Sequence, residues 1–444
     1  MTGSPVKKVT VVGAGWAGLA AAVRLVQQGH RVTLLEMAPQ PGGRARQIAE
    51  SDSRDGGFDN GQHILIGAYR DTLALMRAVG VDPQALLLRQ PLVLRYPDGT
   101  GLALPGGAPM LAFVRAVLGA KGWTLGARWA LLKAAGGWLR TGFHCAAELT
   151  VRQLCQSLPP AVQQDLIAPL CVAALNTPAE SASATVFLRV LQDALFAGAG
   201  SADLLLPRAG LSALLPEPAW AWLTQAGAQC QLRQRVMVLA RDGAGWRVQT
   251  AQGGPGGAAP AAIACDAVVL ACTATEAARL TTPHQPGWAR QASALRYQPI
   301  VTACLGSATL RLPHPMLALR ESPGAPAQFV FDLQALGRRP GSFAWVVSGA
   351  GAWLDGPGLS ACGAAVLRQA RSTFPGAFDG PDRAVLQQLT AERRATFACL
   401  PLLDRPATVV AQGLVAAGDY IAGPYPATLE GAVRSGNAAA MAVA

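Results

Sequence analysis

The amino-terminal part of the chain constrains its fold most strongly, because it sets out a strand, a glycine turn, a helix and a second strand in order. Lys8–Val12 is a β-branched run typical of a buried strand. Residues 13–18, with the sequence GAGWAG, follow at once and open a predicted helix over Leu19–Gln28. A second strand is predicted over Arg31–Leu35, and Glu36 closes it. This order is the context that a dinucleotide-binding βαβ unit requires.

Each residue type in this unit has a physical reason to be there. The first glycine permits the tight turn, the second lets a pyrophosphate approach the backbone, and the third lets helix and strand pack closely. Free N–H groups at the helix start bind phosphates. The acid after the second strand accepts hydrogen bonds from a ribose and repels a 2′-phosphate. The dinucleotide contacts predicted here are Gly13, Gly15, Trp16, Ala17, Gly18 and Glu36.

Further motifs indicate which dinucleotide is bound. Residues 41–44 (PGGR) come soon after the second strand, and residues 58–61 (FDNG) follow them. Near the other end, a strand is predicted over Leu414–Ala417, followed by Gly-Asp at 418–419 and a helix opening within Pro426–Gly436. This set of motifs resembles the FAD-binding domain shared by amine oxidases and phytoene desaturase-like flavoproteins.

The resemblance implies an FAD cofactor and assigns contacts to it. The Gly-Gly-Arg segment is expected to run beside the flavin and the pyrophosphate, where Arg44 presents a bidentate fork to phosphate. The Gly-Asp pair is expected at the ribityl and phosphate portion, with Asp419 accepting from a ribityl hydroxyl. Val236 is expected to contact the adenine through its backbone. The contacts assigned in this way are Gly42, Gly43, Arg44, Val236, Gly418, Asp419, Thr428 and Leu429.

The middle of the chain is predicted to return to the nucleotide domain. Strands are predicted over Arg235–Leu239, Trp246–Thr250 and Ala267–Ala271, with a helix over Thr273–Leu280, whereas the charge-free run Val248–Cys265 predicts a turn or loop. We therefore expect an α/β fold: a Rossmann-like FAD-binding domain with a mixed α+β substrate domain inserted in the chain. The predicted FAD-binding domain comprises 1–95, 205–290 and 400–444, and the substrate domain comprises 96–204 and 291–399.

A local resemblance indicates which reaction of this family the chain is expected to catalyse. Residues 59–69 (DNGQHILIGAY) and Pro426–Gly436 resemble the squalene-associated branch of the phytoene desaturase-like family, the hydroxysqualene dehydroxylases. That branch implies conversion of hydroxysqualene to squalene in the hopanoid route by hydride transfer from N5 of reduced FAD. An apolar isoprenoid is then the expected substrate, and the resemblance covers the whole chain, most strongly residues 6–80 and 412–440.

Replacing an allylic hydroxyl by hydrogen also needs an acid that protonates the leaving oxygen. The candidate catalytic residues are His63, Asp59 and Tyr420, with His63 as first choice. Each has a structural alternative: His63 orients its loop or touches the flavin, Asp59 caps backbone N–H groups, and Tyr420 walls the pocket together with Tyr425. Glu430 is expected to complement the start of its own helix.

Three other functions remain open. A carotenoid-type desaturase would use the same flavin in the opposite redox direction. An amine oxidase would present an aromatic pair around the flavin, for which Tyr420 alone is weak support. An isoprenoid-binding escort protein shares the fold without catalysis but is expected to lose the phosphate glycines, which are present here. No second dinucleotide fingerprint is found, so the electron donor stays unidentified.

The charge and cysteine patterns restrict the partners. The formal charge is +11, but no Lys/Arg block carries interleaved aromatic residues, so we expect no nucleic-acid partner. The nine cysteines form no C-x-x-C pair and have no histidines at zinc spacing, which predicts a reducing cytoplasm and no metal site.

One basic segment makes a membrane surface a possible partner. No Asp or Glu occurs between Gly99 and Ala147, whereas tryptophans and basic residues are interleaved there on two predicted helices joined at Lys121–Gly126. Such helices suit an anionic membrane surface, through residues 110–140, on the inner face of the membrane. They equally suit a substrate-domain helix pair whose arginines extend from an apolar core.

Overall fold

The fold is described from a computed structural model that covers residues 5–48, 57–251, 262–381 and 385–443. The strands are β1 Lys8–Val12, β2 Arg31–Leu35, β3 Leu65–Ile66, β4 Leu87–Gln90, β5 Val93–Arg95, β6 Gly101–Ala103, β7 Leu204–Pro207, β8 Gln229–Gln231, β9 Val236–Asp242, β10 Gly245–Thr250, β11 Ala262–Cys265, β12 Ala267–Leu270, β13 Tyr297–Gly306, β14 Met316–Ala318, β15 Phe329–Asp332, β16 Ser342–Val347, β17 Leu386–Phe397, β18 Val409–Ala411 and β19 Leu414–Ala416.

The α-helices follow the same chain order. They are α1 Trp16–Gln27, α2 Arg70–Ala78, α3 Pro83–Leu86, α4 Pro109–Leu118, α5 Leu125–Arg140, α6 Val151–Leu154, α7 Pro160–Val162, α8 Ala168–Leu175, α9 Ala184–Leu191, α10 Leu211–Leu214, α11 Pro216–Gln225, α12 Ala274–Thr281, α13 Pro286–Ser293, α14 Gly351–Leu354, α15 Leu359–Thr373 and α16 Leu429–Val443. Two π-helical turns, Gln163–Ile167 and Gln192–Phe196, precede α8 and follow α9. Within the described ranges, no helix is both long and apolar enough to cross a bilayer.

The main sheet confirms the predicted Rossmann-like fold. Its strand order is β18-β19-β12-β1-β2-β8, and every neighbouring pair from β19 to β8 is parallel, while β18 runs antiparallel at the edge. β1 lies between β2 and β12, so the chain reverses its direction of travel across the sheet there. Ligands of open α/β sheets bind at such a point, outside the carboxyl ends of the strands. The ends of β1, β12 and β19 therefore come together at one edge.

Glycines let helix α1 start directly against β1. A Cβ built on Gly18 would lie 1.9 Å from the carbonyl oxygen of Gly13, and Gly13 itself has a φ of +104°. Any side chain at Gly18 would drive the first turn of α1 away from the sheet. The close helix–strand contact predicted for the third glycine is confirmed.

Smaller sheets and helices complete the molecule. A five-stranded antiparallel sheet has the order β14-β15-β16-β13-β17, and it lies within residues 291–399. The strands of the main sheet come from the three segments predicted for the FAD-binding domain. Helices α4 to α9 and the two π-helical turns fall within residues 96–204. The division of the chain into two domains at the stated boundaries remains a prediction.

Two predicted elements differ in their limits from the structure, and a third, the carboxy-terminal helix, begins within the segment predicted for it. Helix α1 begins at Trp16, three residues earlier than predicted, because the glycine turn leads straight into it. The carboxy-terminal helix begins at Leu429, where Thr428 Oγ1 accepts from the Gly431 N–H at 3.0 Å. The prediction of a turn or loop over Val248–Cys265 was wrong at both ends of that run, because strands β10 and β11 extend into it and pair with each other. Residues 252–261, in the middle of the run, lie outside the described residues.

The carboxy-terminal helix is held against the amino-terminal one by small residues. A Cβ on Gly436 would lie 2.2 Å from the carbonyl oxygen of Ala17 and 2.9 Å from the Ala20 Cβ. Ala439 and Ala440 are fully buried on the same helix. This contact fixes the position of α16 over the main sheet, and with it the segment that leads into α16.

Glu430 fixes the same helix at its start. Its carboxylate is fully buried and accepts hydrogen bonds from the backbone N–H groups of Asp71 at 3.1 Å and Thr72 at 2.9 Å. Arg434 pairs with it at 2.8 Å. Glu430 does lie in the first turn of its own helix, as predicted, but its hydrogen bonds cap the start of α2.

We predict that Gly436→Ala destabilises the fold, because its Cβ would overlap the α1 backbone. The expected loss is about 1–3 kcal/mol, visible as a lower thermal midpoint. Gly136→Ala is the matched control, since a Cβ at that helical glycine meets nothing within 4 Å. The control should be neutral or more stable by up to about 1 kcal/mol. Equal thermal midpoints for the two variants would contradict the packing described here.

Candidate active site

The two amino-terminal glycine motifs lie against each other at the carboxyl edge of the main sheet. The Gly42 N–H donates to the Ala14 carbonyl at 2.8 Å, which brings the Gly-Gly-Arg segment alongside the glycine turn. The Trp16 indole Nε1 donates to the Ala45 carbonyl at 3.0 Å and anchors the far end of that segment. Trp16, predicted as a cofactor contact, therefore also positions the second motif.

The two motifs pack backbone against backbone, and the surface that these bare glycines leave beside α1 is called the cradle here. A Cβ built on Gly43 would lie 3.1 Å from the Gly15 Cα, and one built on Gly15 would lie 3.9 Å from the Gly43 Cα. Gly43 also has a φ of +62°. Two backbones thus face each other without side chains at the start of α1, where N–H groups attract phosphate. The residues present fit the pyrophosphate of a dinucleotide.

Glu36 lies at the end of β2, beside this cradle, and it is buried. One carboxylate oxygen accepts from the Ala14 N–H at 2.7 Å, and the other accepts from the Ala38 N–H at 2.8 Å. The carboxylate therefore holds the glycine turn in place. Each oxygen retains further acceptor capacity, so the predicted contact with a ribose hydroxyl stays compatible with this arrangement.

An ion pair joins the two ends of the chain at the same edge. Arg44 Nη2 lies 2.5 Å from Asp419 Oδ1, although the residues are 375 positions apart. Arg44 Nη1 also donates to the Ala395 carbonyl of β17 at 2.6 Å. Arg44 thus contacts a carboxylate and a strand in the protein, and its predicted contact with the cofactor phosphate stays a prediction. The pair neutralises the charge of Asp419, which removes the repulsion expected between that carboxylate and the phosphates.

The remaining carboxy-terminal contacts flank this pair. The Gly418 N–H donates to Ser435 Oγ at 3.0 Å, and a Cβ on Gly418 would lie 2.4 Å from the Tyr420 ring. Thr428 caps α16, and Leu429 is its first residue. Gly418 is therefore required by the packing of Tyr420, and the start of α16 is placed one short segment after Asp419.

Val236 lies at the start of β9, far along the chain from the other predicted contacts. It is buried, and its carbonyl accepts from Arg279 Nη2 at 2.8 Å. Part of the backbone that was predicted to contact adenine is thus engaged by a side chain. The adenine contact through the Val236 N–H remains a prediction.

Asp59 is held in a structural role. Its Oδ1 accepts from the Leu211 N–H at 2.8 Å, at the start of α10, and its Oδ2 pairs with Arg338 at 2.8 Å. Both side chains of the ion pair are more than nine-tenths buried. Burial raises the pKa of Asp59, and the charge of Arg338 opposes that shift. The expected capping of backbone N–H groups is confirmed, and the partner Arg338 was not foreseen.

His63 lies near Asp59 and Arg44. Its Nδ1 is 3.1 Å from the Gly61 carbonyl, which can only accept, so Nδ1 carries the proton. Burial lowers the pKa of His63, and the imidazole is therefore neutral at pH 7. Its free Nε2 is then an acceptor rather than a proton donor.

Tyr420 lies beside the Arg44–Asp419 pair, with Cys272 and Tyr297 also close. The side chain is buried, and its hydroxyl has no hydrogen-bond partner among the described residues. Burial holds the pKa of Tyr420 well above its ordinary value, so the hydroxyl keeps its proton. A buried O–H without a partner costs free energy unless a ligand accepts from it.

Sequence reasoning missed the contribution of the five-stranded sheet to this site. Asn60 Nδ2 donates to the Arg44 carbonyl at 2.9 Å and to Glu392 of β17 at 3.1 Å. Tyr297, at the start of β13, lies near Arg44 and Asp419. Asn60 stood inside a quoted motif and could have been found there. The other two residues lie in plain strands, where no local pattern marks them.

The cysteines are not placed as a disulfide or metal centre in the part of the chain that the structure describes. All nine are free thiols, and burial raises the pKa of Cys155 and of Cys399 to about 12. In the portion of the chain that is described, no group of three or more His, Cys, Asp or Glu side chains is placed to hold a metal ion.

We predict that Gly15→Val yields a folded protein without flavin. The new side chain has space in the polypeptide but fills the cradle, so bound flavin should fall to about a tenth of the wild-type content or less. Absorbance of the purified protein measures it, with circular dichroism as the check of folding. Gly287→Val is the matched control, because its Cβ would also meet a single atom, 3.9 Å away. A yellow Gly15→Val protein with the full flavin content would contradict the assignment of the pyrophosphate to this cradle.

Comparison with known proteins identifies the family to which this geometry belongs. The family described as flavin containing amine oxidoreductase matches residues 16–444. A hydroxysqualene dehydroxylase of Rhodopseudomonas palustris is 30% identical over 98% of this chain and 97% of its own length. One of Sinorhizobium fredii is 29% identical over the same shares. A hydroxyneurosporene desaturase of Cereibacter sphaeroides is 41% identical over only 22% of this chain and 20% of its own.

Solved structures agree on the fold. An oxidoreductase from Methanosarcina mazei superposes with a TM-score of 0.73 at 15% identity, covering 98% of this chain and all of that one. A cyclohexylamine oxidase from Brevibacterium oxydans gives 0.68 at 18% identity, covering 99% of each chain. The nearly complete match to the family and the converging cofactor motifs lead to one conclusion. The chain belongs to the flavin-containing amine oxidoreductase family and is an FAD-dependent oxidoreductase.

Proposed function

We propose that this flavoprotein reductively removes the hydroxyl group of hydroxysqualene and releases squalene. In the balanced reaction the allylic C–O bond breaks, a C–H bond forms, and the oxygen leaves as water after taking one proton. Two electrons come from the reduced cofactor. The chain must therefore do three things: bind a long apolar molecule, keep water from the reacting carbon, and hold a proton for the leaving oxygen.

A cavity lined entirely by apolar side chains carries the proposal. It lies among helices α4, α5, α8 and α9, and its volume is about 30 Å³, so a long hydrocarbon enters it only where these helices move apart. Its lining residues are Leu92, Leu102, Leu104, Phe113, Leu131, Ala135, Trp138, Phe143, Leu166, Ile167, Leu170, Leu191 and Leu195. Such a lining suits a hydrocarbon, and it contains no carboxylate that would neutralise an ammonium group.

The backbone around the cavity supports a binding role. Leu166 and Ile167 belong to one π-helical turn and Leu195 to the other. Single π-helical turns inside α-helices occur frequently at functional sites, because they shift side chains out of regular register. The same apolar core cluster contains the cavity residues together with Phe58 and Tyr420 from the cofactor region. Apolar packing thus continues from the cavity to the cofactor motifs.

The relatives favour hydroxysqualene over a carotenoid as the proposed substrate. Two proteins named hydroxysqualene dehydroxylase match this chain along nearly its whole length, whereas the hydroxyneurosporene desaturase matches about a fifth of it. A local match of that kind is expected from a shared cofactor motif, whereas a full-length match includes the part that holds the substrate. The alternative, a carotenoid-type desaturase, is favoured only by that local similarity.

The proton is assigned to Tyr420 within this proposal. When bound, reduced FAD supplies the hydride to the allylic carbon. Tyr420 holds a proton on a buried hydroxyl that lacks a partner, beside the Arg44–Asp419 pair. His63 instead offers an acceptor nitrogen, and Asp59 is engaged by Arg338. Among the three candidate acids, Tyr420 is therefore the one able to donate from its present position.

An anaerobic product assay tests the proposed reaction. Protein with chemically reduced flavin is mixed with hydroxysqualene, and the products are analysed while the flavin spectrum is recorded. We expect one squalene formed for each flavin reoxidised. If the mixture stays inert while the oxidised protein desaturates phytoene, the desaturase alternative is correct and the proposal fails.

We predict that Tyr420→Phe lowers turnover by about 100-fold while the flavin content stays near that of the wild type, because only the proton donor is lost. His63→Gln should lower turnover less. Full activity in Tyr420→Phe, or a larger loss in His63→Gln, would return the acid role to His63.

A further inference from the structure

We propose that helices α4 and α5 form a docking surface for an anionic lipid bilayer. The two helices, Pro109–Leu118 and Leu125–Arg140, make a hairpin at the surface. The exposure, charge and packing of this hairpin support the proposal. It therefore stands independently of which apolar molecule the enzyme converts.

Large apolar side chains are exposed on this hairpin to an unusual degree. Five of the twelve such side chains found exposed in the described residues lie between positions 110 and 129. They are Met110 (42% exposed), Leu111 (59%), Leu118 (44%), Leu125 (69%) and Trp129 (66%). Clustered exposure of this kind marks an interaction surface, whereas single exposed apolar residues are ordinary.

The charges around these side chains specify an anionic partner. Arg115, Lys121, Lys133 and Arg140 are exposed, and no Asp or Glu occurs between Gly99 and Ala147. On α5, Leu125, Trp129 and Lys133 follow one another at four-residue spacing and so share one face. Tryptophan and leucine beside basic residues suit the boundary between acyl chains and anionic headgroups.

The hairpin presents this face rigidly. Arg128 Nη1 donates to the Leu118 carbonyl at 2.6 Å and Nη2 donates to the Ala120 carbonyl at 2.9 Å, which ties the end of α4 to α5. Thr124 Oγ1 caps the start of α5 by accepting from the Ala127 N–H at 3.2 Å. Arg128 thus serves the fold, and the other four basic side chains remain at the surface. The exposed apolar residues therefore cannot turn inward without breaking the hairpin.

The opposite face of the same helices lines the substrate cavity. Phe113 of α4 and Leu131, Ala135 and Trp138 of α5 are lining residues. The hairpin is therefore one helix layer thick between the proposed bilayer and the apolar cavity. A molecule dissolved in the acyl chains would be separated from the cavity only by this helix layer.

Vesicle flotation of the flavin-loaded protein tests the surface. Vesicles of pure phosphatidylcholine are compared with vesicles containing phosphatidylglycerol, at low and at high salt. The test variant is Leu125→Ser with Trp129→Ser. The matched control is Leu402→Ser with Met441→Ser, because Leu402 is 71% and Met441 is 58% exposed outside the hairpin. A third variant, Lys121→Glu with Lys133→Glu, tests the charge. Thermal midpoint and flavin content check the fold of each variant.

We expect binding to the phosphatidylglycerol vesicles that weakens with salt and falls about ten-fold or more in the test and charge variants, but not in the control. Absence of binding, equal binding to both vesicle types, or unchanged binding of the Leu125→Ser, Trp129→Ser protein would overturn the proposal. So would analytical ultracentrifugation showing a wild-type dimer that this variant dissociates, because the surface would then cover a second copy of the chain.

Discussion

The ion pair between Arg44 and Asp419 joins the two ends of the chain where the cofactor motifs meet. It closes a ring of contacts in which the glycine turn after β1, the Gly-Gly-Arg segment and the Gly-Asp segment after β19 meet at one sheet edge. A carboxylate placed beside cofactor phosphates would be repelled if it stood alone, and Arg44 removes that repulsion. Arg44 also donates to β17, so the same side chain connects the cofactor motifs with the five-stranded sheet.

The apolar cavity supports the proposed class of substrate, a long hydrocarbon. The cavity among α4, α5, α8 and α9 has no polar lining, and its core cluster reaches Tyr420 beside the ion pair. A hydroxyl group on a long hydrocarbon would be the single polar feature of such a substrate. An unpartnered phenol at the polar end of the core is well suited to recognise it. The outer face of the same helices supports the docking proposal, so one hairpin would serve both entry and binding.

The sequence predicted the nucleotide-binding part well, since there each residue answers a local requirement. Gly13, Gly18 and Glu36 occupy the positions expected for a turn, a close helix contact and a strand end. Contacts between distant segments could not be predicted in this way. Arg338 pairs with Asp59, which lies far from it along the chain, and no sequence pattern around either residue indicates the other as its partner. The partner of Arg44 escaped prediction for the same reason: a guanidinium satisfies a carboxylate as readily as a phosphate.

A double-mutant cycle on FAD affinity tests the central role of the ion pair most directly. Apoproteins of the wild type, Arg44→Ala, Asp419→Ala and the double variant are titrated with FAD, and flavin fluorescence gives the dissociation constants. If the pair closes the site, each single change weakens binding by about ten-fold or more, and the double variant binds no worse than the weaker single one. Independent effects that multiply in the double variant, or single variants that bind FAD as tightly as the wild type, would contradict this account.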